Sequence, residues 1–579
     1  MNSATTPERM LASAAGSAQR DAAATVQSGV AVIITLLVIA PLLMILYQSL
    51  QTAALYETGR SWTLGNYAKL FTQAEFFGAV KNSLALAVVS TSVAMVIGVL
   101  SAIALSRIAM PMRNWLESAM LAPIYVSQLV LAFGWYVLYG PSGYITLALK
   151  RWLGGVPWDL ASITGMGVLG GMAMAPYIML NCMSSLALTD ASLEDAARST
   201  GASPWRVLRS ITIPLLRPAI VYLVLLSFVG GLEMLSIPLI FGWPAGLEFF
   251  TTYLLREGLG KTVPDYGMLG AAAFILVVLV ASFVLLQRKV IGAAQRYVTV
   301  RGKAQRPKLL DLGPWRWLPP LALALYVLFT SILPLAGLGL RAVVRFLTPL
   351  VSPWDYLTLD HFRALFQQEI FGRALLNSVI VSGVGAALTT VLVALAAVMI
   401  HRSEHRFGRH LELLVLLPRA VPGMVVGIGF LWVTLWTPGL SLLHGTIWIL
   451  IIAYTMRGLP TAYASITPTV LQIGRELDQS ARVSGADWWT TCWKIVLPIA
   501  KTALGASYLL LFLSFFKEYA AAVYLTGAGG EVVGTQLLHM WAKGDAGPVA
   551  ALSVVQLAFT LVLAWMIRRM GKEQKTWLT

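Results

Sequence analysis

Charged side chains inside long apolar runs are the residues of this sequence best placed to do chemistry. Glu233 follows Gly230-Gly231 in one such run, and Lys517-Glu518 occupies the matching stretch of another. A charge at the centre of a bilayer costs roughly 2.5–3.5 kcal/mol on insertion scales, so it faces protein or water rather than lipid. Two readings stand open: the carboxylates line a polar path, or Lys517 pairs with an acid and both lock helix packing. Three further patterns have the letters of a chemistry without its setting. Gly165-Met166-Gly167-Val168-Leu169-Gly170 fits the dinucleotide pattern G-x-G-x-x-G, but it lies inside an apolar run with no strand–helix–strand unit. Small residues for close helix packing account for it. His401-Arg402-Ser403-Glu404-His405 fits the inverted zinc-protease pattern, but Arg402, Arg406 and Arg409 surround it and no third ligand follows. Gly527-Ala528-Gly529-Gly530 reads as a flexible turn, with no Lys after it to meet a phosphate. No G-x-x-x-x-G-K-[ST] loop occurs anywhere. Two cysteines, Cys182 and Cys492, exclude a disulfide framework and an all-cysteine metal site. The sequence therefore offers no catalytic residue and no metal site.

The elements that hold these charges are long apolar helices. Of the 579 residues 58% are hydrophobic and 12% charged, about half the charged fraction of a soluble protein, and the mean hydropathy is +0.74. This argues against a soluble enzyme, a disordered chain or a fibrous protein. A helix needs about 20 apolar residues to cross the hydrocarbon. Six spans are expected near 29–50, 82–106, 115–139, 162–186, 214–241 and 267–287. Six more are expected near 317–340, 377–400, 411–436, 445–470, 498–525 and 547–569. Pro41, Pro238 and Pro334 fall inside them, as membrane helices tolerate when neighbours satisfy the freed backbone. The net charge of +16 sorts by side: with the N-terminus inside, inner segments hold about 25 Lys and Arg and outer ones about 12. The densest inner cluster joins the two sets of spans, with Arg288, Lys289, Arg296, Arg301, Lys303, Arg306 and Lys308. Both termini are thus expected in the cytoplasm, and the basic balance calls for a lipid bilayer and no nucleic acid. Arg419 and Arg457 fall near the cytoplasmic ends of their spans, and their role stays open.

The two sets of spans are copies of each other. Thr63-Leu64, Asn66-Tyr67 and Leu70-Phe71 match Thr358-Leu359, His361-Phe362 and Leu365-Phe366; Asn82-Ser83 matches Asn377-Ser378; and Leu121-Ala122-Pro123 matches Leu416-Leu417-Pro418. The offset is 295 throughout. It then becomes 284: Pro176 matches Pro460, Gly201 matches Gly485, and Pro214 matches Pro498. Constant offsets within blocks mark an internal repeat. An even number of spans per copy gives both copies one orientation, with a pathway expected at their interface. The expected organisation is a tail over 1–28, a first repeat over 29–287, a basic linker over 288–316, a second repeat over 317–569 and a tail over 570–579.

One pattern recurs between spans four and five of each copy. In the first, Asp195-Ala196-Ala197 precedes Gly201, then Ile211-Thr212-Ile213-Pro214; in the second, Gln479-Ser480-Ala481 precedes Gly485, then Ile495-Val496-Leu497-Pro498. Residues 190–200 read as a short helix from Asp190 with acids, Glu194 among them, near its start, where the dipole favours them. Gly201 permits a sharp or left-handed turn. A second helix follows, and Pro214 suits the start of a membrane helix. The product is an elbow rigidly joined to a span, with small alanines that let another protein come close.

This arrangement resembles the EAA loop of binding-protein-dependent ABC importer permeases, E-A-A, three residues, G, nine residues, I-x-L-P. Each six-span copy looks like one permease subunit, so the resemblance covers almost the whole chain. The first loop, about 188–214, departs at Asp195 and Ile213; the second, about 472–498, departs at Gln479-Ser480, and its leading acid is Glu476 or Asp478. The resemblance implies an all-α polytopic membrane protein, twelve helices in two parallel six-helix repeats with the type I importer permease fold. It implies coupling loops at Glu194, Asp195, Ala196, Ala197, Gly201, Ile211 and Pro214 and at Glu476, Gln479, Ser480, Ala481, Gly485, Ile495 and Pro498. It further implies two copies of a cytoplasmic ATPase, which carry ATP and Mg while this chain binds no cofactor, and a periplasmic solute-binding protein. A multi-pass place in a bacterial inner membrane goes with it. Fused permeases of this length and linker look most like ferric-iron importers; similar ones serve 2-aminoethylphosphonate and thiamine, and related unfused ones polyamines. A secondary transporter, also built of twelve spans in two halves, is the alternative class.

Overall fold

The computed structural model describes residues 7–55, 57–187, 191–294, 309–403 and 408–576. Asp190, Glu404, His405 and Arg406 lie outside these, as do the linker residues Arg296, Arg301, Lys303, Arg306 and Lys308. The described residues are mostly helical, with only isolated bridges and no strand among them. In the first repeat the main helices are α1 (Pro7–Ser49), α2 (Ala74–Arg107), α3 (Arg113–Met120), α4 (Gln128–Tyr139), α5 (Ile163–Ala187), α6 (Ala191–Ser199), α7 (Ile213–Leu232) and α8 (Tyr266–Ala294). In the second they are α9 (Leu318–Val327), α10 (Leu333–Ala342), α11 (Glu369–Arg402), α12 (Gly408–Leu416), α13 (Gly423–Trp436), α14 (Ile447–Gln472), α15 (Glu476–Val483), α16 (Lys501–Phe516) and α17 (Ala546–Thr576). Among the described residues nine helices are long and apolar enough to cross a bilayer, and up to twelve spans result if each of three sharply bent pairs counts as one.

The bends correct the straight spans expected over 115–139 and 411–436. The first turns by 101° between Tyr125 and Gln128, and the second by 111° between Ala420 and Gly423. Pro123 and Pro418 open the short helices that lead into these turns, at positions where a ring without an N–H costs no bond. Each bent pair still crosses. Arg107, at the end of α2, donates to Leu186 O at the end of α5 at 3.3 Å, so those ends share one face. The chain must return to the far side between them. Spans five and eleven are shorter than expected as well: α7 stops at Leu232 and α16 at Phe516.

Small residues set the helix packing. A Cβ at Gly167 would overlap Val89 of α2, one at Gly98 would overlap Ile178 of α5, and one at Gly170 would meet Met234. The dinucleotide-like run is thus a packing stripe. The first helix of each repeat packs on the other repeat. Gly429 of α13 meets Pro41 and Ile45 of α1, and Gly134 of α4 meets Pro334 of α10. Gly134 and Gly429 are 295 apart, so the crossed packing repeats with the sequence. Gly429→Leu is expected to cost roughly 1–3 kcal/mol by overpacking; a melting temperature in detergent equal to that of the unchanged protein would contradict this.

The elbows and the broken-helix junction

The first elbow is built on a buried acid. Glu194 on α6 is 2% exposed and accepts from Arg107 Nε at 3.0 Å. Thr212 Oγ1 donates to the same carboxylate oxygen at 3.0 Å, and Arg198 stands 3.6 Å from the other. Arg107, at 4% exposed, is the last residue of α2, so α6 is tied to a membrane helix by its first turn. Gly201 then closes α6. It has φ +82°, its N–H donates to Arg198 O at 3.0 Å, and Ala202 N–H donates to Ala197 O at 3.1 Å. This is a Schellman cap. A short helix from Pro204 leads into a π-helical turn, Leu208–Thr212, and on into α7.

The second elbow repeats the design with other atoms. Arg402 ends α11, and its Nε donates to Asp478 Oδ2 at 2.9 Å. It also donates to Val470 O, Ile473 O and Gly474 O, which gather the end of α14. Gly485 has φ +81°, with bonds to Arg482 O and from Ala486 N–H to Ala481 O. Asp487 accepts from Thr490 N–H at 2.9 Å and caps the next helix, and the Thr490 hydroxyl and amide hold its carboxyl below the ordinary Asp range. A π-helical turn, Cys492–Val496, stands 284 residues after its counterpart. Such turns cluster at functional places in helices.

The paired acid of the second loop is therefore Asp478, which is partly buried, rather than Glu476, which is exposed. Asp195 is half-exposed and Gln479 exposed, whereas Ala481 is buried and Ala197 partly so. Ile211 and Ile495 are partly buried, Pro214 partly and Pro498 exposed. Sequence reasoning missed Arg107, Arg402 and Thr212. The signal was available, since Arg107 and Arg402 differ by 295 and Glu194 and Asp478 by 284. His401, from the zinc-like pattern, instead bonds Tyr463 Oη at 2.8 Å, and Tyr463 donates to Glu412 at 3.1 Å.

The intramembrane charges meet at a second junction. Glu233 caps the end of α7; Lys517 caps α16 and Glu518 follows. Arg457, in the middle of α14, reaches both acids: Nε to Glu518 at 3.2 Å and Nη2 to Glu233 at 4.0 Å. It is not at a span end. Among the described residues Lys517 pairs with no acid; its Nζ donates to Ile124 O, at the bend of the first repeat, at 2.6 Å. Glu518 also accepts from Ala520 N–H at 2.9 Å. The Ser236 and Tyr519 hydroxyls bond across the repeats at 2.8 Å, and Tyr524 donates to Leu254 O at 2.6 Å. Arg419 donates to Tyr222 Oη of the other repeat at 2.9 Å. The broken helices of the two copies thus face each other through polar atoms.

Beyond the breaks, the Asn-Ser pairs hold the returning loops. Asn82 donates to Glu248 O and Ser83 accepts from Phe250 N–H; Asn377 donates to Glu531 O and Ser378 accepts from Val533 N–H. Burial pushes the Glu248 carboxyl up against the pull of Arg256. A cavity of about 880 Å³ opens here between the repeats, lined by Trp243, Leu255, Glu531, Gln536, His539 and Trp541 among others. Among the described residues no three His, Cys, Asp or Glu side chains converge as metal ligands.

Known proteins resemble this chain along most of its length. The ferric transport system permease protein FbpB of Actinobacillus pleuropneumoniae is 26% identical over 526 residues, covering 89% of this chain and 74% of that protein. A putative ferric transport system permease protein, FbpB 1 of Haemophilus influenzae, is 26% identical over 83% of this chain and 75% of its own length. A probable ABC transporter permease protein, y4fN of Sinorhizobium fredii, is 24% identical over 89% of this chain and 90% of its own. The family model for the binding-protein-dependent transport system inner membrane component matches twice, at residues 73–292 and 394–575. With an elbow inside each match, the chain belongs to that family of inner membrane components, as a permease subunit that carries both copies in one polypeptide.

Proposed function

We infer that this permease passes ferric iron, delivered by a periplasmic binding protein, across the inner membrane at the expense of ATP hydrolysed on separate subunits. Termini and linker face the cytoplasm in this reading. Two ATPase copies, which carry the ATP and Mg, each grip one elbow: Glu194 to Pro214 in the first repeat, Asp478 to Pro498 in the second. The observation that carries it is the duplicated buttress. A push on α6 or α15 is passed by an ion pair to α2 or α11 and along the elbow to α7 or, past a 75° bend between Ile499 and Lys501, to α16. Coupling travels through such packed, hydrogen-bonded elements. Iron as cargo is supported by the names of the two ferric relatives.

Glu233, Lys517 and Glu518 line the translocation path in this account, since broken helices at a repeat interface are where membrane transporters bind cargo. Glu233→Gln and Glu518→Gln are each expected to lower ATP-driven uptake at least tenfold, with assembly unchanged. Uptake at the unaltered rate in both variants would remove these residues from the path. The proposal as a whole is tested by reconstituting the chain with its ATPase and iron-loaded binding protein in liposomes and following ATP-dependent iron entry.

A further inference from the structure

We propose that Arg457 is the ion seal of the pathway, a single guanidinium that blocks cations by occupying the space between two carboxylates of opposite repeats. The inference rests on the reading of the broken helices as the path. Two parallel repeats are related by an axis along the membrane normal, and the path follows that axis. Matching parts of two copies touch only beside their axis. The ends of α7 and α16 match, and they touch through Ser236 and Tyr519 at 2.8 Å. Glu233 and Glu518 stand at these ends and share one partner, Arg457, at 4.0 and 3.2 Å. The cluster is therefore axial.

Arg457 breaks the symmetry. At the offset of 284 its counterpart is Ala173, so one guanidinium stands within ion-pair distance of both acids, with Arg419 a more distant cation toward Glu233. A strict dimer of identical subunits would place two. Fusion of the copies permits this asymmetry. Room for the guanidinium comes from Gly423 in α13, whose missing side chain leaves the place where Nη1 lies. The Arg457 side chain keeps 31% exposure, against 19% for Glu233 and 16% for Glu518. The side chain thus borders open space on one flank, while its Nη1 is enclosed at Gly423 and finds no hydrogen-bond partner among the described residues. Paired acids in a pore draw cations, whereas an arginine there repels them.

The test is passive ion flux, which needs no ATP, cargo or binding protein. Liposomes holding the chain with its ATPase are loaded with potassium chloride and suspended in sodium gluconate, so that sodium entry can balance potassium loss, and potassium and chloride efflux are followed separately. The unaltered protein is expected to leak at the rate of protein-free liposomes. Arg457→Gln should raise potassium efflux at least tenfold, with chloride efflux little changed, and adding Glu233→Gln and Glu518→Gln should erase that cation preference. Gly423→Ala keeps every charge but displaces the guanidinium, and should leak less strongly with the same preference. It carries the test if Arg457→Gln fails to copurify with the ATPase. Tight liposomes for the assembled variants, or a leak without cation preference, would overturn the seal. Failure of coupled iron uptake in Glu233→Gln leaves it standing, so the two readings fall separately.

Discussion

Arg107→Leu is expected to abolish ATP-driven uptake while the chain still inserts in the membrane. The substitution leaves Glu194, 2% exposed, as a buried charge without its main partner. Removing one side of a buried ion pair costs about 3–5 kcal/mol, enough to release α6 from the end of α2. Glu194→Gln removes the charge and keeps an acceptor for Thr212, so its loss should be smaller, on the order of tenfold in uptake. The second elbow predicts an inequality. Asp478 is more exposed than Glu194, and Arg402 retains three backbone acceptors without it. Asp478→Asn should therefore cost less than Glu194→Gln, whereas Arg402→Leu, which strands those carbonyls, should match Arg107→Leu. Uptake and ATPase rates measured together separate loss of coupling from loss of assembly. Full coupling in Arg107→Leu would show that the buttress transmits nothing.

Gly201→Val and Gly485→Val form the second large effect, with at least a tenfold loss of coupled uptake each and no measurable uptake together. The reason is backbone geometry. Both glycines hold φ near +80°, and a Cβ at either would meet nothing within 4 Å. Crowding inside the chain is thus excluded. A left-handed conformation costs about 1–2 kcal/mol for an ordinary residue, and more for a branched one. Asn tolerates that conformation, so Gly201→Asn should retain most uptake if the turn is what matters. If Asn fails as badly as Val, the open space around Gly201 is where the ATPase comes close, and the glycine serves contact rather than conformation.

The repeat, the elbows and the approximate spans were legible because they are local or periodic. Hydropathy reports length along the chain, and Gly201, Pro214 and their copies act on their own turns. The bends after Pro123 and Pro418 were not legible, because an apolar run reads alike whether straight or folded by 101° or 111°. Long-range pairing was hidden for a different reason. Arg107 and Glu194 lie 87 residues apart in separate helices, and only the matching offsets of Arg402 and Asp478 could have suggested the pair. Arg457 had no such help, since its counterpart is Ala173. Its partners come from both repeats, and Lys517, the obvious cation in the sequence, binds the Ile124 carbonyl instead.

The central claim is that ATP hydrolysis on separate subunits drives transport through both elbows. The most direct measurement is ATPase activity of the reconstituted complex with and without iron-loaded binding protein, for the unaltered chain and for Arg107→Leu and Arg402→Leu. The account predicts stimulation by the loaded protein in the unaltered complex and its loss in each variant. Iron entry driven by an ion gradient in liposomes that hold this chain alone would contradict it.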